Sequence, residues 1–189
     1  MTLSRLLLVA SSSKKQIKGQ GKDKIIIKPL NPNYDGEIVL CFELDDDKAR
    51  ERKVCQSLGM KETDKRCDGI IFYAKDDQDD KVICFVEMKS TNIDDTAVQI
   101  QSTRTHIEKL LRADCGTDCN RQFQHIQWKA CFYHHGATPD KISRIKKQLG
   151  AAGFSDIYDF TSANNDIGPF LRGETNAKGL AKKIGSRRY

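Results

Sequence analysis

Three residues carry the chemistry this sequence offers: Asp68, Glu87 and Lys89. Asp68 lies near the start of an apolar stretch, Cys67 to Tyr73, and Glu87 and Lys89 close a second one, Lys81 to Lys89, with the polar segment Ala74 to Asp80 between them. Two such runs joined by a polar loop predict adjacent antiparallel strands. That pairing sets the beginning of the first strand beside the end of the second. In the second run Val82, Cys84, Val86 and Met88 share one face, and Ile83, Phe85, Glu87 and Lys89 the other. Both faces are apolar until the strand ends, which marks a central strand. An unpaired charge buried there costs several kcal/mol, roughly, so Glu87 and Lys89 need a partner, and Asp68 is within reach. Two carboxylates repel unless a cation sits between them, and oxygen ligands suit Mg²⁺ or Mn²⁺ rather than Zn²⁺. Lys89 beside the ion's open side would hold a water and offset the charge that grows on a phosphorane. The expected chemistry is phosphodiester hydrolysis.

Asp68, the hairpin, and Glu87-Met88-Lys89 at the end of an apolar strand together resemble the PD-(D/E)xK nuclease motif, with Cys67 in the place of the motif's proline. The string from Val82 to Ser90 is most similar to the corresponding strand of archaeal-type Holliday-junction resolvases, and the resemblance spans Ala49 to Tyr133. It implies a restriction-endonuclease-like α/β fold, a mixed β-sheet flanked by helices, and a metal-dependent endonuclease acting on DNA. It further implies a metal-linked glutamate on the preceding helix, where Glu51 matches best. Glu43, at a strand end before three aspartates, ranks second. A glutamine on the helix after the lysine assists in related nucleases, and Gln99 and Gln101 are both candidates here. Asp68, Glu87 and Glu51 would thus hold Mg²⁺ or Mn²⁺. A second E-x-K triplet, Glu51-Arg52-Lys53, stands in a helical context, so specificity comes from the strand pair and the helix that follows it. The competing expectation is a catalytically inactive, nuclease-like subunit that binds nucleic acid or scaffolds a defence or repair complex.

The elements that must position these residues are legible in outline. Ser11 to Lys24 is polar and basic with little to bury, which predicts a flexible arm. Ile25 to Ile27 and Ile38 to Glu43 read as strands joined in a hairpin by the turn-rich stretch Asn31 to Gly36. Asp45 to Gly59 runs from acids through bases to a closing glycine, the order that complements a helix dipole. Between Asp94 and Arg112, Ile100, Thr103, Ile107, Leu110 and Leu111 recur every three or four residues, predicting an amphipathic helix. Ile126, Trp128, Ala130 and Phe132 alternate with Gln127, Lys129, Cys131 and Tyr133, predicting a strand with one apolar face. Thr138 as N-cap and Pro139 as first residue open another helix, closed by Gly150. A last strand spans Asp156 to Phe160. Residues 1–23 are thus expected as a basic arm, 24–160 as the nuclease-like domain, and 161–189 as a basic tail.

The chain has 189 residues, 38% apolar and 31% charged, which suits one core domain. Its early apolar run, Leu6 to Ala10, is far short of the roughly 20 residues of a membrane span and the about 7 or more of a secretory leader. Seven cysteines, an odd number, scatter through strands and helices, which favours a reducing compartment and a soluble, cytoplasmic protein. Residues 1–30 carry seven Lys or Arg against one Asp, and residues 161–189 six against two acids, while the whole chain is only +6, leaving the body mildly acidic. Basic flanks of this kind suit a polyanion, because phosphate contacts release counterions. Nucleic acid, specifically DNA, is the expected partner. With little chain outside the core, nucleic-acid structure or a protein partner would choose the target, and a homodimer would serve paired cuts.

Cys115 and Cys119, with His125, His134 and His135 downstream, raise zinc, but adjacent histidines are not spaced as a ligand pair. The run Asp76 to Asp80 lacks the glycine and distal glutamate of a calcium loop and reads as a solvated hairpin tip. Tyr133, His134 and the terminal Arg187-Arg188-Tyr189 are further places where nucleic acid could touch.

Overall fold

The computed structural model describes residues 16–18, 24–28, 36–44, 54–75, 81–89, 91–115, 124–161 and 166–174. Ten elements follow in order: β1 (Gln16–Lys18), β2 (Lys24–Ile26), β3 (Glu37–Glu43), β4 (Gly69–Lys75), β5 (Lys81–Met88), α1 (Thr96–Cys115), β6 (Ile126–Tyr133), α2 (Pro139–Ala151), β7 (Asp156–Phe160) and α3 (Gly168–Leu171). A helical turn over 54–57 precedes β4 and ends at Gly59, whose φ of 70° is the left-handed conformation that glycine adopts without steric cost.

β3 to β7 form one five-stranded sheet in chain order, with β3, β4 and β5 antiparallel and β5, β6 and β7 parallel. The mixture follows from the connections: a polar loop suffices between β4 and β5, whereas the parallel steps need the crossovers α1 and α2. The architecture is the expected α/β class, a mixed sheet flanked by helices, with β5 central and buried on both faces as its two apolar rows predict.

One face packs under the helices. Phe42, Ile70, Phe85, Ala130 and Ile157, which lie in one cross-strand row, meet Ile100, Ile107, Leu110 and Leu111 of α1 and Ile145 and Leu149 of α2. The α1 stripe is the predicted one, and Thr138 and Pro139 open α2, although Thr138 makes no side-chain capping bond.

The other face corrects three expectations. First, Ile25 does not form a hairpin with the strand at Glu37–Glu43: β2 pairs with β1, and β3 pairs with β4. Second, residues 16–18 are not arm but strand, because Ile17 has an apolar surface to cover. Ile17 is fully buried and lies so close to β4 that a Cβ at Gly69 would stand 2.5 Å from its Cδ1. Third, β6 is not apolar on one side only. Lys129 is 1% exposed, and its ammonium donates to the carbonyls of Phe170 at 3.0 Å and Leu171 at 3.4 Å, with Asp156 at 3.4 Å. Here the lysine finds the polar partners that a buried charge requires. The two carbonyls come from α3, which with Ile167 brings Phe170 and Leu171 onto the sheet beside β1 and β2. The folded unit therefore reaches beyond 24–160 at both ends, since only a covering layer can bury Ile71, Cys84, Val86 and Cys131.

Ile17→Ala is a direct test of that layer. Removing a fully buried isoleucine side chain should cost about 3 kcal/mol, read as a lower urea midpoint with unchanged slope; a midpoint equal to the parent's would return residues 16–18 to the status of an arm. Among the described residues, no helix is long and apolar enough to cross a membrane.

Candidate active site

The pairing of Gly69 with Val86 places Asp68 directly across from Glu87, on the helix-covered face of the sheet. The two residues clasp each other through the backbone. The Asp68 N–H donates to Glu87 Oε2 at 3.2 Å, and the Met88 N–H donates to Asp68 Oδ2 at 2.5 Å. Lys89, one residue past the strand, returns its ammonium to Glu87 Oε1 at 2.8 Å. This short ion pair misses aligned hydrogen-bond geometry, and Oε1 is wholly buried. The sequence-derived trio is thus brought together as its spacing predicts.

Electrostatics at this point are strained in a specific direction. Burial above all, and then the charge of Asp68, push the Glu87 carboxyl up to about 8 against the pull of Lys89. Burial pulls the Lys89 ammonium down, but Glu87, joined by Asp68 and Asp95, outweighs it, and the net movement is upward. Burial, reinforced by Glu87, raises the Cys67 thiol far above its ordinary value. Cys67 is therefore a neutral thiol, unsuited to act as nucleophile or ligand at neutral pH.

Among the described residues four buried side-chain atoms have no aligned hydrogen-bond partner: Glu87 Oε1, Thr96 Oγ1, Gln99 Oε1 and His134 Nδ1. All four belong to one end of the molecule. Glu87 and His134 stand at the carboxyl ends of parallel strands, and Thr96 and Gln99 are in the first turns of α1. Gln99 Nε2 donates to the Arg66 carbonyl at 2.9 Å, while Thr103, a turn further on, accepts the Cys67 N–H at 3.0 Å. A polar stripe of α1 therefore lies along the start of β4 and leads to Asp68. Buried polar atoms without partners are uncommon in folded proteins.

Of the two candidate glutamines, Gln99 borders this place and Gln101 does not. Gln101 is turned to α2, where its Nε2 donates to the Gln148 carbonyl at 3.3 Å. Glu43 pairs with Gly69, in the row of Val86, and so lies on the opposite face from Glu87. Glu51 falls outside the described residues, as do the Asp76 to Asp80 run and Arg187 to Tyr189. So do Cys119 and the side chain of Cys115, while His134 is engaged with Asp159 at 3.5 Å and His135 is exposed. Among the described residues no group of three or more His, Cys, Asp or Glu is gathered for a metal.

The two carboxylates of Asp68 and Glu87, the latter with Oε1 buried, nevertheless fit a divalent cation with oxygen preference. Such an ion would relieve the repulsion that raises Glu87. The sequence reading missed Thr96 and the pairing of His134 with Asp159. The signal was present in the alternation that sets His134 on the face of Phe132, and Asp159 in register with it. Set against known proteins, the chain matches no family model, no curated protein and no solved structure.

Proposed function

We propose that this chain is a metal-dependent nuclease of the restriction-endonuclease-like type, hydrolysing phosphodiester bonds in DNA with Mg²⁺ or Mn²⁺. The observation that carries the reading is the meeting of Asp68, Glu87 and Lys89 at the end of the central strand, with Glu87 Oε1 buried and lacking an aligned partner. Asp68 and Glu87 would hold the ion, and Glu51 would supply a third oxygen. When bound, the ion lowers the pKa of water and polarises the phosphate. Lys89 is 29% exposed, so its ammonium can face both Glu87 and an incoming phosphate. It would orient the attacking water and face the charge developing on the phosphoryl oxygens. Gln99, fixed by Arg66, presents its spare carbonyl oxygen at the same margin.

The surroundings suit a polyanion. Lys65, Lys141 and Arg144 reach Asp95 and Asp94, which precede α1, and Asp95 is near enough for its charge to act on Lys89. These pairs are exposed and therefore weak, so a phosphate backbone can draw the cations away from their carboxylates. The Lys- and Arg-rich flanks of the chain would add further phosphate contacts.

The test is a cleavage panel over duplex, branched and single-stranded DNA, and RNA, with Mg²⁺, Mn²⁺ or chelator, run in parallel for Lys89→Ala. The parent should cut only with a divalent ion, and the variant should still bind DNA yet lose cutting about 10²-fold or more. A parent that binds DNA but cuts no substrate is instead the inactive, scaffolding subunit.

A further inference from the structure

The hydrolysis proposed above leaves one proton unassigned. A water that attacks phosphorus must lose a proton, and an ammonium such as that of Lys89 has donors but no acceptor. A group able to take that proton stands one strand away. The Lys89 N–H donates to the Tyr133 carbonyl at 3.0 Å, which continues the parallel register of Met88 with Tyr133. Lys89 and His134 are therefore the next pair across, on the face shared by Glu87, with the strands about 4.8 Å apart. His134 is 3% exposed. Its Nε2 meets Asp159 Oδ2 at 3.5 Å, and Asp159 is held from the other side by Lys146 of α2. Its Nδ1 is buried without a partner.

That arrangement selects a tautomer. With Nε2–H turned to a carboxylate, a neutral imidazole carries its lone pair on Nδ1. A histidine serving only to fill the core would not keep its acceptor buried and unused, since that costs the desolvation of the nitrogen. The charged groups around the ring are Asp159 from β7, Lys146 of α2 paired to that carboxylate, and Lys89, just past β5 and next across in register.

We propose that His134 is the general base of this site and Asp159 the positioning residue that aims it. The inference rests on the hydrolytic reading and extends it. The oxygen of the water oriented by Lys89 forms the new bond to phosphorus, and its proton passes to His134 Nδ1. The bond from phosphorus to the departing sugar oxygen breaks, its electron pair staying with that oxygen, which takes a proton from bulk water. Asp159 stabilises the imidazolium so formed, and His134 then returns its proton to solvent. The same division of labour between an acid-fixed imidazole and its proton recurs in hydrolases on unrelated folds.

The experiment uses the full chain with its best DNA substrate from the panel under single-turnover conditions in Mg²⁺. His134→Asn should lower the cleavage rate about 10²- to 10³-fold, with the dissociation constant for DNA and the midpoint of the Mg²⁺ titration unchanged. Asp159→Asn should lower the rate with the DNA dissociation constant and the Mg²⁺ midpoint unchanged, and Asp159→Glu, which keeps a carboxylate for Nε2–H, should recover part of it. Cutting by a folded His134→Asn within about threefold of the parent overturns the assignment and leaves the nuclease reading standing. If His134→Asn does not fold, Asp159→Asn decides, and a rate within about threefold of the parent overturns the assignment. A parent that cuts nothing overturns both.

Discussion

Asp68→Asn should reduce metal-dependent cleavage on the order of 10³-fold without unfolding the protein. The substitution is chosen because it preserves what Asp68 does for the backbone. The Met88 N–H, which donates to Asp68 Oδ2, finds an amide oxygen at the same distance, and the residue 68 N–H still reaches Glu87 Oε2. What disappears is one of two negative charges facing each other across β4 and β5. A cation held between carboxylates loses most of its attraction when one is neutralised, so the Mg²⁺ midpoint should rise together with the loss in rate. Raising Mg²⁺ should recover part of the activity, and Mn²⁺, which binds such oxygens more tightly, should recover more. Rates from single turnovers and the ion titration of the same preparation are the measurement. Cutting by Asp68→Asn within tenfold of the parent at equal Mg²⁺ would remove Asp68 from the site.

The trio was legible because strand geometry is strict. A period of two fixes which residues share a face, and an antiparallel pair joined by a short polar loop fixes which ends meet. From Cys67 to Lys89 those two rules determine the placement of Asp68 against Glu87 and of Lys89 beside it. The helices followed for a similar reason, since the stripe of Ile100, Ile107, Leu110 and Leu111 admits one buried side.

Residues whose placement depends on distant chain were not legible. Ile17 is a lone apolar side chain in a basic stretch, and its burial requires β4 to present Gly69 beneath it, some fifty positions later. Lys129 reads as the polar side of a strand until α3, forty residues on, supplies carbonyls for its ammonium. His134 and Asp159 lie on different strands, and only the parallel register of β6 with β7 makes them partners. In each case local pattern gives the face and tertiary packing decides what covers it. The same holds for Gln99 and Gln101, two positions apart on one helix, where only the packing of α1 against β4 and α2 separates the one at the site from the one outside it.

Glu87→Gln should remove the Glu87-linked fall of stability with rising pH that the parent shows without metal. In the metal-free protein burial and Asp68 raise the Glu87 carboxyl from an ordinary 4.5 to about 8. Between those two values the folded chain keeps a proton there that the unfolded chain has released. Stability falls with rising pH wherever the native state binds more protons. This contribution is therefore complete below about pH 4.5, shrinks through neutrality, and is lost once pH passes 8, a swing on the order of 4 kcal/mol. Glutamine has no proton to lose, and its amide fills the same space beside the Asp68 N–H. The variant should consequently unfold at higher urea than the parent at pH 8 in chelator, and the two should converge towards pH 5. Mg²⁺ acts in the opposite sense on the parent, because it binds the carboxylate form and should stabilise it more at pH 8 than at pH 5.5, while leaving Glu87→Gln almost unmoved. Urea titrations of both proteins at the two pH values, with Mg²⁺ and with chelator, give the full comparison. Parallel pH profiles for parent and variant in chelator would mean that Glu87 is not a carboxylate under strain, and with that the physical reason for a cation at this end of the sheet would be gone.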